Sequence, residues 1–331
     1  IQCWAIHEFE NQEGIVHVEA LQGNDPHNFG AKLDLDTPKE ILKAHELCNE
    51  LGLDTDNVTG AISWAIESFE KGQITEEDTG GLKLRWGDAE LIYDLIEKTA
   101  FREGFGDILA EGCKKASEII GKGTEENCIH VKGQELFECL WMSPSWAFGT
   151  VVSPRGGTHT RGAAIEDRMK DMPKEKLRRY FDLEKIGDKT SYEGKENLVY
   201  FFERLQGFLD SVGICVFTHS LRMDMLLPED YAELYSAAIG RDVGWKDILD
   251  IGERVHNVER AYNALHTDWR REDDMPPKRF IEKKLAGKYS IDLDKWENML
   301  DRYYELHNWD ENGIPTKEKL YGLGLKEIAD K

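Results

Sequence analysis

Long hydrophobic runs are absent from this sequence. Nothing approaches the ~18–20 consecutive apolar residues that a membrane-spanning helix needs, and no basic segment followed by an apolar stretch opens the chain as a secretion signal would. Positive charge is also short: 42 Lys and Arg face 64 Asp and Glu, a formal charge of −22 over 331 residues. Such a chain repels phosphate backbones and anionic lipid heads, so neither nucleic acid nor a membrane surface is an expected partner. Cysteine is sparse and scattered. Cys3, Cys48, Cys113, Cys128, Cys139 and Cys215 match no zinc or ferredoxin spacing by themselves. In a cytoplasmic protein, the expected location, they read as buried thiols or metal ligands rather than a disulfide framework. The GxSxG, P-loop and GxGxxG signatures are missing. So is an initiating methionine: Ile1-Gln2-Cys3-Trp4 reads as mid-domain sequence, and the chain is expected to be the later part of a longer protein.

What is there is helical. Apolar residues make up 40% of the chain, enough for a sizeable core, and the length suggests two domains at ~150 residues each. Thr37-Pro38-Lys39-Glu40 is a capping box with proline at the first helical position. The helix it opens carries Ile41, Leu42, His45, Leu47 and Leu51 and stops at Gly52. Further helices are expected over about Val58–Lys71, Ala89–Arg102 and Asp107–Ile120, ending at Gly72, Gly104 and Gly121, where glycine provides a left-handed cap. From Val131 to Ala164 the sequence is rich in Gly, Ser, Pro and aromatics and has no clean period, which predicts an irregular, functional segment. Helices resume over Pro173–Phe181, Glu196–Asp210, Pro228–Ile239, Trp245–Trp269, Pro276–Leu285 and Asp292–Leu306, and Pro315-Thr316-Lys317-Glu318 opens a last short one. Only Ile15–Glu19 and Cys128–Val131 read as strands. The fold class is therefore mainly α, with expected domains 1–131 and 132–331.

One short pattern occurs twice. Asn49-Glu50-Leu51-Gly52-Leu53-Asp54-Thr55 and Asp210-Ser211-Val212-Gly213-Ile214-Cys215 both place a glycine at an expected helix end with a polar group three residues before it. A carboxylate beside such a turn can accept two N–H bonds from a flat, guanidine-like heterocycle, although plain helix capping also produces the pattern. His159 sits in Ser153-Pro154-Arg155-Gly156-Gly157-Thr158-His159-Thr160-Arg161-Gly162, a loop suited to handling anions and protons or, equally, a surface turn. His7, Glu8, Glu10, Glu13, His17 and Glu19 cluster near the start, as a solvated acidic face also would.

Taken in order, several segments resemble the aldehyde ferredoxin oxidoreductase family of tungsten (or molybdenum) pterin enzymes. They are Asn49–Thr55, Ala61–Glu67, Gly106–Gly112, Val131–Leu136, Ser153–Arg161, Asp210–Cys215, Gly252–Asn263 and Trp309–Thr316. The resemblance covers essentially the whole chain and implies the two helical domains of that family's three, with its N-terminal β domain outside this chain. It implies a tungsten (or molybdenum) bis-pterin centre, magnesium bridging the pterin phosphates, and a [4Fe-4S] cluster. Cys3 then stands as the third ligand of the family's cysteine run and Cys215 as the distant fourth, which leaves Cys48, Cys113, Cys128 and Cys139 as structural thiols.

By the same resemblance, Leu53, Asp54 and Thr55, with Asn49 where an Asp is usual, hold one pterin. Asp210, Gly213 and Ile214 hold the other, and Arg161 contacts a pterin. His159 matches the active-site histidine. The family's glutamate near the metal matches Glu19 or, without a gap in the alignment, His17 takes its place. The implied activity is oxidation of an aldehyde to a carboxylic acid, with electrons leaving through the cluster to ferredoxin or a ferredoxin-like subunit. Trp141, Trp146 and Phe148 would shape the substrate pocket or pack in the core. The chain would need the upstream part of the same protein, would be inactive alone, and could pair as a homodimer. The alternatives are the tungsten subunit of a benzoyl-CoA-type reductase, a branch that diverges around the His159 loop, and a non-catalytic helical binding module.

Overall fold

The computed structural model describes residues 6–11, 14–19, 23–165, 169, 171–187, 190–218, 226–284 and 290–331. It divides into two compact units, Ile1–Phe137 and Glu138–Lys331. Both are helical. Among the described residues the only sheets are two-stranded: β1 (Ile6–Asn11) with β2 (Gly14–Glu19), and β3 (His130–Val131) with β4 (Gln134–Glu135).

The first unit is built around α1 (Pro38–Leu51), α2 (Thr55–Glu70), α3 (Ala89–Phe101), α4 (Phe105–Leu109) and α5 (Gly112–Ile120). α1 begins as expected: Thr37 Oγ1 accepts from Glu40 N–H and the Glu40 carboxylate accepts from Thr37 N–H. Leu42, Ala44, His45 and Cys48 form its buried stripe, and Ala44 and Cys48 join Ile62, Trp64, Ile66, Ile92, Leu95, Ile96 and Leu109 in one core. α3 ends one turn before Gly104, because Arg102 itself takes the left-handed cap at φ 56°. The expected Asp107–Ile120 helix is two helices: the chain breaks at Ala110-Glu111, and Gly112 enters α5 at φ 76°.

The second unit contains α6 (Pro144–Val151), α7 (Lys174–Phe181), α8 (Lys195–Ser211), α9 (Pro228–Ile239), α10 (Trp245–His266), α11 (Lys278–Glu282), α12 (Leu293–His307), α13 (Lys317–Gly322) and α14 (Lys326–Ala329). α6 lies inside the stretch expected to be irregular. Every residue of it is buried, and a helix buried all round has no solvent-facing side to create a period. α8 and α10 form the most extensive helix–helix contact of this unit. Gly207 and Gly252 permit it, since a Cβ on Gly252 would lie 1.6 Å from the Arg204 carbonyl oxygen.

The cysteine reading needs a correction. Cys113, on α5, and Cys128, just before β3, are joined in a disulfide with Cα atoms 5.6 Å apart. A separation of 15 residues gave no hint of this, because only the packing of α5 against the following turn brings them together. Cys139 is exposed, so of the four cysteines expected as structural thiols only Cys48 is a buried free thiol. Burial pushes the Cys48 thiol up to about 12.

Candidate functional site

The two copies of the repeated pattern fold identically. In the first, Gly52 adopts φ 70°, Gly52 N–H donates to Asn49 O and Leu53 N–H to Cys48 O. In the second, Gly213 adopts φ 75°, Gly213 N–H donates to Asp210 O and Ile214 N–H to Leu209 O. Both are Schellman caps, which accounts for the glycine and for the apolar residue after it. Each unit therefore ends one long helix in the same way and presents the polar residue of its cap, Asn49 or Asp210, to solvent.

In the first unit the turn leads directly into α2. Asp54 is the N-cap, its carboxylate accepting from Asn57 N–H at 2.9 Å. Thr55 is the first residue of α2, and its carbonyl accepts from Thr59 Oγ1. Leu53 packs against the core, and the Asn49 amide meets His45 Nε2 at 2.8 Å. Leu53, Asp54 and Asn57 line a cavity of about 410 Å³ together with Glu111, Gly112 and Glu135. Asn57 Oδ1 is buried with no hydrogen-bond partner in the structure. Glu135 accepts from Cys113 N–H and packs on two glycines: a Cβ on Gly60 or Gly112 would come within 2.5 and 3.0 Å of it. Burial holds its carboxyl above the usual range, and burial pushes nearby Lys32 down to about 8.

In the second unit, Arg161 reaches two acids. One guanidinium nitrogen donates to Asp210 at 2.5 Å and another to Glu259 on α10. Gln206 donates to the other oxygen of Asp210. Arg161 thus ties the second cap to α10. Two residues before it, His159 pairs through Nδ1 with the buried Glu138 and stacks on Trp146, ring centroids 4.9 Å apart at 19°. The Trp146 indole N–H is buried without a partner in the structure. Gly149 on α6 lets this loop lie directly on the helix, as a Cβ there would meet the Ala163 backbone at 2.5 Å.

Cys3 and the side chain of Glu19 lie outside the described residues; the Glu19 backbone pairs with Ile6 in the β1–β2 hairpin. His17, exposed on the same strand, pairs with Glu8 at 3.1 Å. Cys215 is an exposed thiol directly after the second cap. Phe148 is core, edge-on to Trp296 and Tyr303, and Trp141 packs on Phe280. Of the three aromatics considered for a pocket, Trp146 is the one beside His159. Glu138, Glu259 and Glu135 are the neighbours that sequence reading missed. Glu138 carried a faint signal, a single acid inside the apolar run Leu136-Phe137-Glu138-Cys139-Leu140-Trp141.

Other residues of the segments Gly252–Asn263 and Trp309–Thr316 tie the helices of the second unit together. Arg260 makes a bidentate pair with buried Asp274 at 3.1 and 2.6 Å and donates to Gly313 O at 2.7 Å. Trp309 Nε1 donates to Asn257 Oδ1.

Comparison with known proteins defines first a class, the oxidoreductases. Residues 1–325 match the family model described as "Aldehyde ferredoxin oxidoreductase, domains 2 & 3". The chain is 36% identical over 306 residues to a tungsten-containing aldehyde ferredoxin oxidoreductase of Pyrococcus furiosus and 33% identical to that of Thermococcus kodakarensis, covering 91% of this chain and 47% of each relative. It is also 30% identical over 314 residues to an aliphatic sulfonate oxidoreductase, WOR-like subunit, of Pyrococcus furiosus, covering 90% of this chain and 45% of the relative. The fold is shared with the active-site complex BamBC of benzoyl coenzyme A reductase, solved with 1,5-dienoyl-CoA: TM-score 0.78, 23% identity, 97% of this chain and 51% of that one. The chain belongs to the aldehyde ferredoxin oxidoreductase family and spans about half the length of the curated relatives it matches.

Proposed function

We propose that this chain supplies the helical part of a tungsten pterin oxidoreductase that converts aldehydes to carboxylic acids and passes the electrons through a [4Fe-4S] cluster to ferredoxin. The observation that carries this reading is the His159–Glu138–Trp146 arrangement beside the Arg161–Asp210 cap, within a family whose curated relatives are tungsten-containing aldehyde oxidoreductases.

The residues present fit a pterin. The cavity in the first unit holds a carboxylate, Asp54, and a buried oxygen without a donor, Asn57 Oδ1. Both accept from N–H groups of the kind a pterin ring presents. In the second unit Asp210, Gly213 and Ile214 form the matching turn, Arg161 pairs with Asp210, and the Trp146 N–H lacks an acceptor. Asn49 accepts through a neutral amide oxygen, a weaker acceptor than the Asp usual in the family. Cys3 and Cys215 would ligate the cluster.

The bound centre supplies the two-electron redox step and Lewis-acid polarisation of the carbonyl. The chain supplies proton handling and exclusion of water. Glu138 takes the Nδ1–H of His159, which leaves Nε2 as the nitrogen that accepts or returns a proton at the substrate oxygen. Trp146 fixes the imidazole plane by stacking. Glu19 would serve as a second base.

The test uses the full-length protein prepared anaerobically. Aldehyde-dependent reduction of a viologen dye, with tungsten and iron in the purified protein, is expected. Reduction of benzoyl-CoA instead would move the chain to the reductase branch whose fold it shares, and a protein holding neither metal would make it a binding module. Cys215→Ser should lower iron content. Unchanged iron would remove Cys215 from the ligand set.

A further inference from the structure

A second group of ligating side chains lies deep in the helical core of the second unit, apart from the residues discussed above. Glu203 on α8, His256 on α10 and His307 at the end of α12 are all buried, at 4%, 3% and 0% exposure. One carboxylate oxygen and one nitrogen from each imidazole lie within 4.8 Å of one another. His307 Nε2 meets Glu203 Oε1, and His256 Nε2 lies 3.5 Å from Oε2. We propose that Glu203, His256 and His307 bind one divalent first-row transition ion, zinc or ferrous iron, that fastens α8, α10 and α12 to one another.

The donor set is the first argument. Two imidazoles and one carboxylate are the ligands that zinc and ferrous iron favour over magnesium or calcium. Charge is the second argument. Among the described residues no Lys or Arg comes within ion-pair distance of Glu203, whose carboxylate faces two imidazoles. A buried carboxylate without a cation is costly, and a bound ion would neutralise it.

The surroundings are the third argument. Tyr303 donates to Glu203 Oε2 at 2.7 Å and so orients the carboxylate from outside the donor set. Trp309 stacks on both imidazoles, at 4.2 Å from His307 and 5.5 Å from His256, and Tyr200 closes edge-on against His307. A site walled this way is a closed one, and its ion would be structural rather than catalytic. Without an ion, the same atoms form a hydrogen-bonded network among Glu203, His307 and Tyr303.

The experiment measures metals in the full-length protein grown with added Zn2+ and, separately, with Co2+ in place of zinc. About one equivalent per chain of zinc or of iron beyond the cluster, surviving gel filtration in chelator, is expected. The Co2+-grown protein should show visible d–d absorption. His256→Gln and His307→Gln should each lose the ion and the absorption while tungsten content stays at the wild-type level. Less than about a tenth of an equivalent in the wild type would overturn the proposal. So would unchanged zinc in a folded variant. The wild-type metal content and cobalt spectrum decide the matter even where a variant does not fold.

Discussion

Gly252→Ala is the most exacting single test of this architecture. The added Cβ would sit 1.6 Å from the Arg204 carbonyl oxygen and 3.0 Å from Phe208 N. Both are backbone atoms of α8, so no side chain can rotate away. An ordinary contact needs more than 3.4 Å, and α8 and α10 must part by well over an ångström. Overpacking of a tight core costs about 1–3 kcal/mol, and an obstruction by helix backbone belongs at or above the top of that range. For a unit of this size about 3 kcal/mol lowers Tm by roughly 6–12 °C. The consequence reaches the candidate site, because α8 carries Asp210 and α10 carries Glu259, the two acids held by Arg161. The assay is calorimetric melting, with Gly322→Ala as control: its Cβ meets nothing within 4 Å and should be neutral or stabilising by about 0.5–1 kcal/mol. A Gly252→Ala protein melting within about a degree of wild type would refute the reasoning, since steric exclusion leaves no cheap escape.

Three further outcomes follow from particular contacts. Glu138→Gln keeps the shape but removes the charge that holds His159 Nδ1–H, so aldehyde-dependent dye reduction should fall, and His159→Ala should lower kcat by about 10²–10⁴-fold; wild-type turnover in both would end the proton-handling role. Burial raises the Glu135 carboxyl, so its stability contribution is complete below the unfolded pKa and is lost as pH rises through the folded one. Glu135→Gln should therefore raise the melting temperature at neutral pH and lose that advantage near pH 4, and a pH-independent difference would contradict the assignment. Reduction of the Cys113–Cys128 disulfide should expose two more titratable thiols and destabilise the first unit by about 3 kcal/mol, as expected for a closed loop of this length; equal thiol counts before and after reductant would remove the bond.

Sequence by itself determined the features that depend on neighbours along the chain. The capping box at Thr37, both glycine-terminated turns and the helix starts at Pro38, Ala89 and Pro228 follow from local dihedral preferences and from backbone groups satisfied within a few residues. The family was legible too, because its segments keep their order, and so was the mainly helical class. Tertiary structure alone decided what depends on distance through space. α6 was hidden because burial on all sides erases periodicity. The Cys113–Cys128 bond, the Glu138 partner of His159 and the meeting of Glu203, His256 and His307 join residues separated by 15, 21 and up to 104 positions. No local pattern encodes such pairs, since the elements that carry them come together only when the helices pack.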